Sequence, residues 1–231
     1  MVKPINQFSD EKIIESWKKN AAPWIEALER NTIESRIVVT NHAIVEKILS
    51  KKPEKVLDIG CGEGWLSRVL VESDIDCLGV DVVPDLINKA KLGKGRFQLI
   101  SYEELSYSRL GEQFDVLVAN FSLIGEESVE SIFQQANNLL KKGGSLIIQT
   151  VHPKVVDTNL DYVDGWREGS WAGFGNNFCA PAPWYFRTLE SWSALFEAAG
   201  FDRLEIVEPL NPKNKNIASL ILVGERWLLR D

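Results

Sequence analysis

Metal ligands and cross-links are scarce in this chain. Its two histidines, His42 and His152, and its three cysteines, Cys61, Cys77 and Cys179, share no metal-ligand spacing. An odd cysteine count makes no disulfide framework either, so no metal and a reducing compartment are expected. No Lys/Arg cluster is larger than a doublet such as Lys51-Lys52 or Lys141-Lys142, and 33 acidic against 26 basic residues leave a net charge of −7. A nucleic-acid backbone calls for a basic face; a small-molecule partner is expected instead. No apolar run approaches the roughly 20 residues of a membrane span. The first residues, MVKPINQFSDEK, lack the apolar core of a signal peptide. A soluble, cytoplasmic protein is expected. No internal repeat or low-complexity tract is visible.

What is present suits one α/β domain: 231 residues, 45% of them hydrophobic. Residues 10 to about 50 carry helical periodicity. Ile13, Ile14 and Trp17 form one apolar face, which Trp24, Ile25 and Leu28 continue; Ile33, Ile37, Ile44, Ile48 and Leu49 form a second. Pro53 closes this N-terminal helical cap, 1–52. From there short apolar runs alternate with amphipathic stretches. Strands are predicted at Lys55–Ile59, Asp76–Val80, Phe97–Ile100, Asp115–Ala119 and Ser145–Thr150, and helices at Trp65–Glu72, Pro84–Lys91 and Val129–Leu140. Such alternation predicts a doubly wound α/β domain, 53–231, whose ligand sits beyond the carboxyl ends of the strands.

Residues 152–187 break that rhythm with eight aromatic residues, four glycines and three prolines. Exposed aromatics on a loop invite aggregation unless they cover something. This insertion is expected to be a lid over an acceptor pocket, or else a small packed core of its own. Asp161, Asp164, Arg167 and Arg187 are charged members that could orient a substrate. A helix at Leu189–Ala199 and strands at Arg203–Val207 and Ser219–Val223 then close the sheet. Cap, domain and insertion are expected to form effectively one structural unit.

The most informative stretch is Val56-Leu57-Asp58-Ile59-Gly60-Cys61-Gly62-Glu63-Gly64. A buried strand runs into a glycine turn that opens a helix, and glycines there let a ligand approach the main chain. Asp81, 21 residues after Gly60, ends the next strand, where a carboxylate can accept from both hydroxyls of a ribose. Dinucleotide sites have G-x-G-x-x-G; this turn is G-x-G-x-G, preceded by Asp58. A carboxylate there repels a pyrophosphate and suits a ligand carrying an ammonium and a sulfonium. That selects S-adenosylmethionine over NAD.

From Lys55 to Val223 the chain resembles the class I S-adenosylmethionine-dependent methyltransferases. VLDIGCGEG is the most specific match, joined by Asp81 in LGVDVVPDLINKAK, by Phe114–Asn120 and by LLKKGGSLIIQT. The resemblance implies a Rossmann-like, seven-stranded, mostly parallel sheet with its last strand antiparallel. It also implies S-adenosylmethionine as cofactor and S-adenosylhomocysteine as product. Its implied cofactor residues are Asp58, Gly60, Cys61, Gly62, Asp81, Val82 on the adenine face, and Asn120 beside the methionine part. Where the family often has an acidic residue for the adenine amino group, this chain has Ser101-Tyr102: a hydroxyl and a ring to cover the purine.

Arg36 reads as a fork for the donor carboxylate or, equally, as a surface arginine pairing with Glu34. Asn20, Trp24 and Thr40 are further candidates in the cap. His152, after the fifth strand, is the candidate general base, with a hydrogen-bonded structural role as the alternative. The expected activity is methyl transfer to an O or N atom of a small-molecule acceptor by in-line displacement. An NAD-linked oxidoreductase and a catalytically silent donor-binding regulator are the alternatives.

Overall fold

A computed structural model of the chain describes residues 8–155 and 161–226; the expected insertion, 152–187, therefore includes five residues outside the described ones. In chain order the elements are α1 (Asp10–Glu29), a π-helix (Arg36–Thr40), α2 (Asn41–Ser50), β1 (Lys55–Ile59), α3 (Trp65–Glu72), β2 (Asp76–Asp81), α4 (Pro84–Ala90) and β3 (Arg96–Leu99). There follow α5 (Tyr107–Leu110), β4 (Phe114–Asn120), α6 (Glu127–Leu139), β5 (Leu140–Thr150), β6 (Gly165–Arg167), β7 (Trp184–Phe186), α7 (Leu189–Ala198), β8 (Arg203–Val207) and β9 (Leu220–Glu225).

Seven strands form one sheet in the order β3-β2-β1-β4-β5-β9-β8. The pairs among β1 to β5 are parallel, and β9 is antiparallel to both its neighbours. Period-2 alternation explains the two layers of helix. Val56, Val116 and Val118 pack with Ile44, Ile48, Leu66 and Leu70 on the face of α2 and α3. Leu57, Ile59, Leu117 and Ala119 pack with Val129, Ile132, Phe133, Trp192 and Phe196 on the face of α6 and α7. Both faces of the central strands are thus buried, which is why they read as continuous apolar runs.

Two local readings are corrected. In the cap the helix does not run on: Asn31 takes a left-handed φ of 54°, and a π-helix precedes α2. Ile37 and Leu49, expected on an apolar face, are 53% and 38% exposed, while Ile44 and Ile48 are fully buried. The helix break and the wider π turn displace Ile37 from the face expected of a regular 3.6-residue spiral. The insertion, in which no regular period was visible, contains a two-stranded antiparallel ribbon of β6 and β7 with Trp166 opposite Tyr185. Three-residue strands are too short to show alternation.

Candidate active site

β1 and β4 are adjacent at the centre of the sheet, and a cavity of about 700 Å³ opens beyond the carboxyl ends of β1, β2 and β4. Gly60, Cys61, Gly62 and Glu63 form one wall. The turn is fixed by the amides of Gly60 and Cys61, which both donate to the Val80 carbonyl, at 2.8 and 2.9 Å. Gly60 has φ +70°, and a Cβ there would strike Ser122 Cβ and Tyr102 Oη. Gly62, at φ +59°, is open on its free side: a Cβ would meet only Trp24 Nε1, 4.0 Å away. Bare backbone therefore faces the cavity at Gly62.

Asp81 is 8% exposed at the end of β2 and lines the cavity. One oxygen accepts from the Gly62 amide at 2.9 Å and the other from the Val83 amide at 2.8 Å. Burial pushes this carboxyl up, and the two amides pull against that shift. Each oxygen keeps lone-pair capacity for a ligand hydroxyl. Val82, Ser101 and Tyr102 line the same end. The Tyr102 phenol is anchored on the Ser122 carbonyl at 3.1 Å, and burial raises its pKa strongly, so it stays neutral. Asn120, ending β4, also lines the cavity, and its Oδ1 is buried with no hydrogen-bond partner. A buried acceptor of that kind is costly unless a donor arrives. Next to it Phe121 takes a left-handed φ of 54°, the sort of backbone strain that collects at ligand sites.

Asp58 departs from its expected place. It is 1% exposed and accepts from the Ser67 hydroxyl at 2.7 Å, beneath the loop and away from the cavity lining. Burial pushes its carboxyl up to about 7. The expected direct repulsion of a pyrophosphate therefore has no contact behind it. The carboxylate that does face the cavity from this turn is Glu63, 5% exposed and 3.3 Å from Arg68. Cys61 also lines the cavity, with its thiol pushed up by burial and held neutral.

Residues of α1 and the π-helix also line the cavity. Arg36 lies over the rings of Trp24 and Trp65, 5.5 and 5.0 Å from their centroids, and lines the cavity. It makes no ion pair among the described residues, and burial lowers its pKa, opposed by Glu63. Glu34, its suggested partner, pairs instead with Lys213 at 2.6 Å. Thr40 and Trp24 line the cavity; Asn20 does not. Asn20 is fully buried and clamps the insertion: its side chain donates to the Cys179 carbonyl at 2.7 Å and accepts from the Cys179 amide at 2.9 Å. Ser16 adds a bond to the Ala180 carbonyl at 2.6 Å. Above the clamp, Trp171 packs edge-on against Trp17 at 5.5 Å, and Phe174 lies 6.1 Å from Trp24. The insertion contributes Trp171, Phe174, Trp184 and Tyr185 to the cavity lining.

His152 is placed elsewhere. It is 5% exposed, and its Nε2 lies 2.9 Å from a Glu208 carboxylate oxygen. Its Nδ1 accepts from the Lys154 amide at 3.2 Å. Both ring nitrogens are used within the fold, and neither histidine is among the lining residues, which counts against His152 as the base. Sequence reasoning missed Asp10, whose carboxylate accepts from the amides of Glu126 and Ser128 at 2.8 and 2.6 Å and so fixes α1 against the start of α6. It also missed Phe121, whose strain no residue type announces.

The family described as "Methyltransferase domain" matches residues 35–206. An uncharacterized methyltransferase of Schizosaccharomyces pombe is 28% identical over 179 residues, 73% of this chain and 66% of that protein. The cyclopropane-fatty-acyl-phospholipid synthase of Escherichia coli is 29% identical over 147 residues, 62% of this chain and 37% of the synthase. The chain thus spans less than two thirds of the length of either relative. Among solved structures, the 1,6-didemethyltoxoflavin-N1-methyltransferase of Burkholderia thailandensis, with S-adenosylhomocysteine bound, superposes with a TM-score of 0.62 at 18% identity, covering 98% of this chain and 93% of that one. With residues 35–206 matched and the seven-stranded, mostly parallel sheet with an antiparallel last strand in place, this chain belongs to the methyltransferase-domain family, as the resemblance to class I S-adenosylmethionine-dependent methyltransferases implied.

Proposed function

We propose that the chain is an enzyme that transfers a methyl group from S-adenosylmethionine to an oxygen or nitrogen atom of a small-molecule acceptor, by in-line displacement. The observation that carries this reading is a single cavity lined by the glycine turn and Asp81 and also by a chamber of aromatic side chains. Its volume, about 700 Å³, is in the range of small-ligand sites.

The donor fits the residues present. Asp81 is assigned to its ribose hydroxyls, Val82, Ser101 and Tyr102 to its adenine, and the backbone of Gly60, Cys61 and Gly62 to its close approach. Arg36 is assigned to its carboxylate and Asn120, through the orphaned Oδ1, to its ammonium. Asp58 acts indirectly in this scheme, by holding α3 against the turn through Ser67. When bound, the donor supplies an electrophilic methyl carbon on a sulfonium sulfur.

The chain's own contribution is alignment and exclusion of water. Trp17 and Trp24 from α1, with Trp171 and Phe174 from the insertion, line the cavity and are assigned to cover it, with the described residues 161–187 of the insertion as its lid. With both its ring nitrogens engaged away from the cavity, His152 has a structural role in this reading. The test is incubation of the protein with methyl-labelled donor and a small-molecule extract. A labelled small-molecule product is expected. Donor binding with no label transferred to any small molecule would overturn the proposal in favour of a silent binding protein.

A further inference from the structure

The acceptor side of the cavity is largely apolar, with one deeply buried cation. Arg187, directly after β7, is 4% exposed and lines the cavity. Its guanidinium lies 4.7 Å from the Tyr185 ring centroid and 5.4 Å from that of Trp192. Two N–H groups are used: one donates to the Gly125 carbonyl at 2.6 Å and one to the Glu126 carbonyl at 3.0 Å. A guanidinium has five N–H donors in a planar fork. The others have no acceptor among the described residues, and no carboxylate there forms an ion pair with this cation.

None of the neighbouring described carboxylates pairs with it: Glu130 is exposed, and the others bond elsewhere. Glu126 accepts from Trp166 Nε1 at 2.8 Å, Asp164 from the Thr188 amide at 2.7 Å, and Asp10 from two amides at the start of α6. Burial lowers the Arg187 pKa, against the pull of Tyr185, Glu130, Asp164 and Glu126. A buried charge without a paired counter-ion is costly, and it persists where a ligand completes it. Backbone carbonyls and two aromatic rings hold the fork in one plane, the preorganisation that bidentate recognition of a planar anion uses.

We propose that the acceptor is an aromatic carboxylate, its single negative charge docked on the free edge of Arg187 and its ring held among Trp17, Trp184 and Tyr185. One cation matches one negative charge; a phosphate dianion would leave its second charge unpaired among apolar walls. The inference rests on the methyltransferase reading, which makes this half of the cavity the acceptor site.

The test uses the full chain saturated with S-adenosylhomocysteine and titrated calorimetrically with 2-naphthoate and, separately, with its neutral isostere 2-naphthamide. The carboxylate is expected to bind at least about tenfold tighter than the amide, with the preference falling to within about twofold in Arg187→Gln and reduced but not lost in Arg187→Lys, which keeps the charge without the fork. Equal affinity for the two probes, no binding of 2-naphthoate, or a preference that survives in Arg187→Gln would overturn the proposal. The comparison in the parent protein stands by itself should Arg187→Gln fail to fold. Absence of S-adenosylhomocysteine binding by the parent would instead remove the methyltransferase reading.

Discussion

The Asp81 oxygens hold the Gly62 and Val83 amides and keep lone-pair capacity, which the proposed function gives to the donor ribose. Asp81→Ala is expected to weaken S-adenosylhomocysteine by roughly 1.5–3 kcal/mol, the scale of hydrogen bonds to a charged group, and Asp81→Asn by less. Calorimetry finding both variants equal to the parent would remove Asp81 as the ribose ligand. Asp58 behaves differently because of its burial. Its folded-state pKa of about 7 lies above the ordinary 3.8, so the native state takes up the extra proton. Its contribution to stability is therefore present in full below 3.8 and is lost as pH rises through 7. Between about pH 5 and about pH 8 the loss is roughly 2–3 kcal/mol, and urea unfolding of Asp58→Asn should show a pH slope shallower by that amount. An unchanged slope contradicts the assignment. Asp81 was legible in the sequence because it stands at a strand end a βαβ length beyond the glycines. Asp58 was misplaced although its pleat was readable: it shares the face of Val56, towards α3, and not the cavity.

At the scale of elements, α1 is joined to the insertion through Asn20, Ser16 and Trp17. Asn20 makes both a donated and an accepted bond to the Cys179 main chain, so Asn20→Ala leaves that amide and carbonyl without these partners. Stability should fall by about 1–3 kcal/mol, and hydrogen exchange over 165–187 should rise while β8 is unchanged. Exchange unaltered over 165–187 would show that the clamp does not hold the insertion. In the parent, product binding should slow exchange in the same segment more than in β8. The N-terminal end of α6 is unsuitable as a distant control, since Gly125 and Ser128 line the cavity. Replacing His152 by Gln should lower stability by about 1 kcal/mol and leave methyl transfer within about threefold; a loss of transfer at normal stability would restore His152 as the base. The strand and helix alternation was legible because each buried strand and amphipathic helix announces its own period. The π-helix was not, since one extra residue in a turn leaves composition unchanged. Nor was the contact of Asp10 with the start of α6, which joins residues 116 positions apart.

For the whole molecule, the site exists only where separate layers meet. The sheet's carboxyl edge supplies the glycine turn and Asp81, α1 with the π-helix supplies Trp24 and Arg36, and the insertion supplies aromatic side chains. Sequence motifs report the first layer well, because cofactor geometry ties glycines and an acidic residue to fixed strand ends. They are silent on the others, whose positions follow from tertiary packing of apolar residues that many arrangements would satisfy. Among the described residues no helix is long and apolar enough to cross a membrane, and no cluster of His, Cys, Asp or Glu is suited to a metal. The claim on which the rest depends is that the glycine turn and Asp81 hold S-adenosylmethionine. Gly62 is the position that isolates it, since its backbone faces the cavity at φ +59° and a branched side chain there would occupy the ligand's path. Calorimetric titration of the parent and of Gly62→Val with S-adenosylhomocysteine, and of the parent with NAD, tests it directly. Saturable binding of S-adenosylhomocysteine by the parent, its loss in a folded Gly62→Val, and no response to NAD are predicted; binding of NAD with no response to S-adenosylhomocysteine would contradict the account.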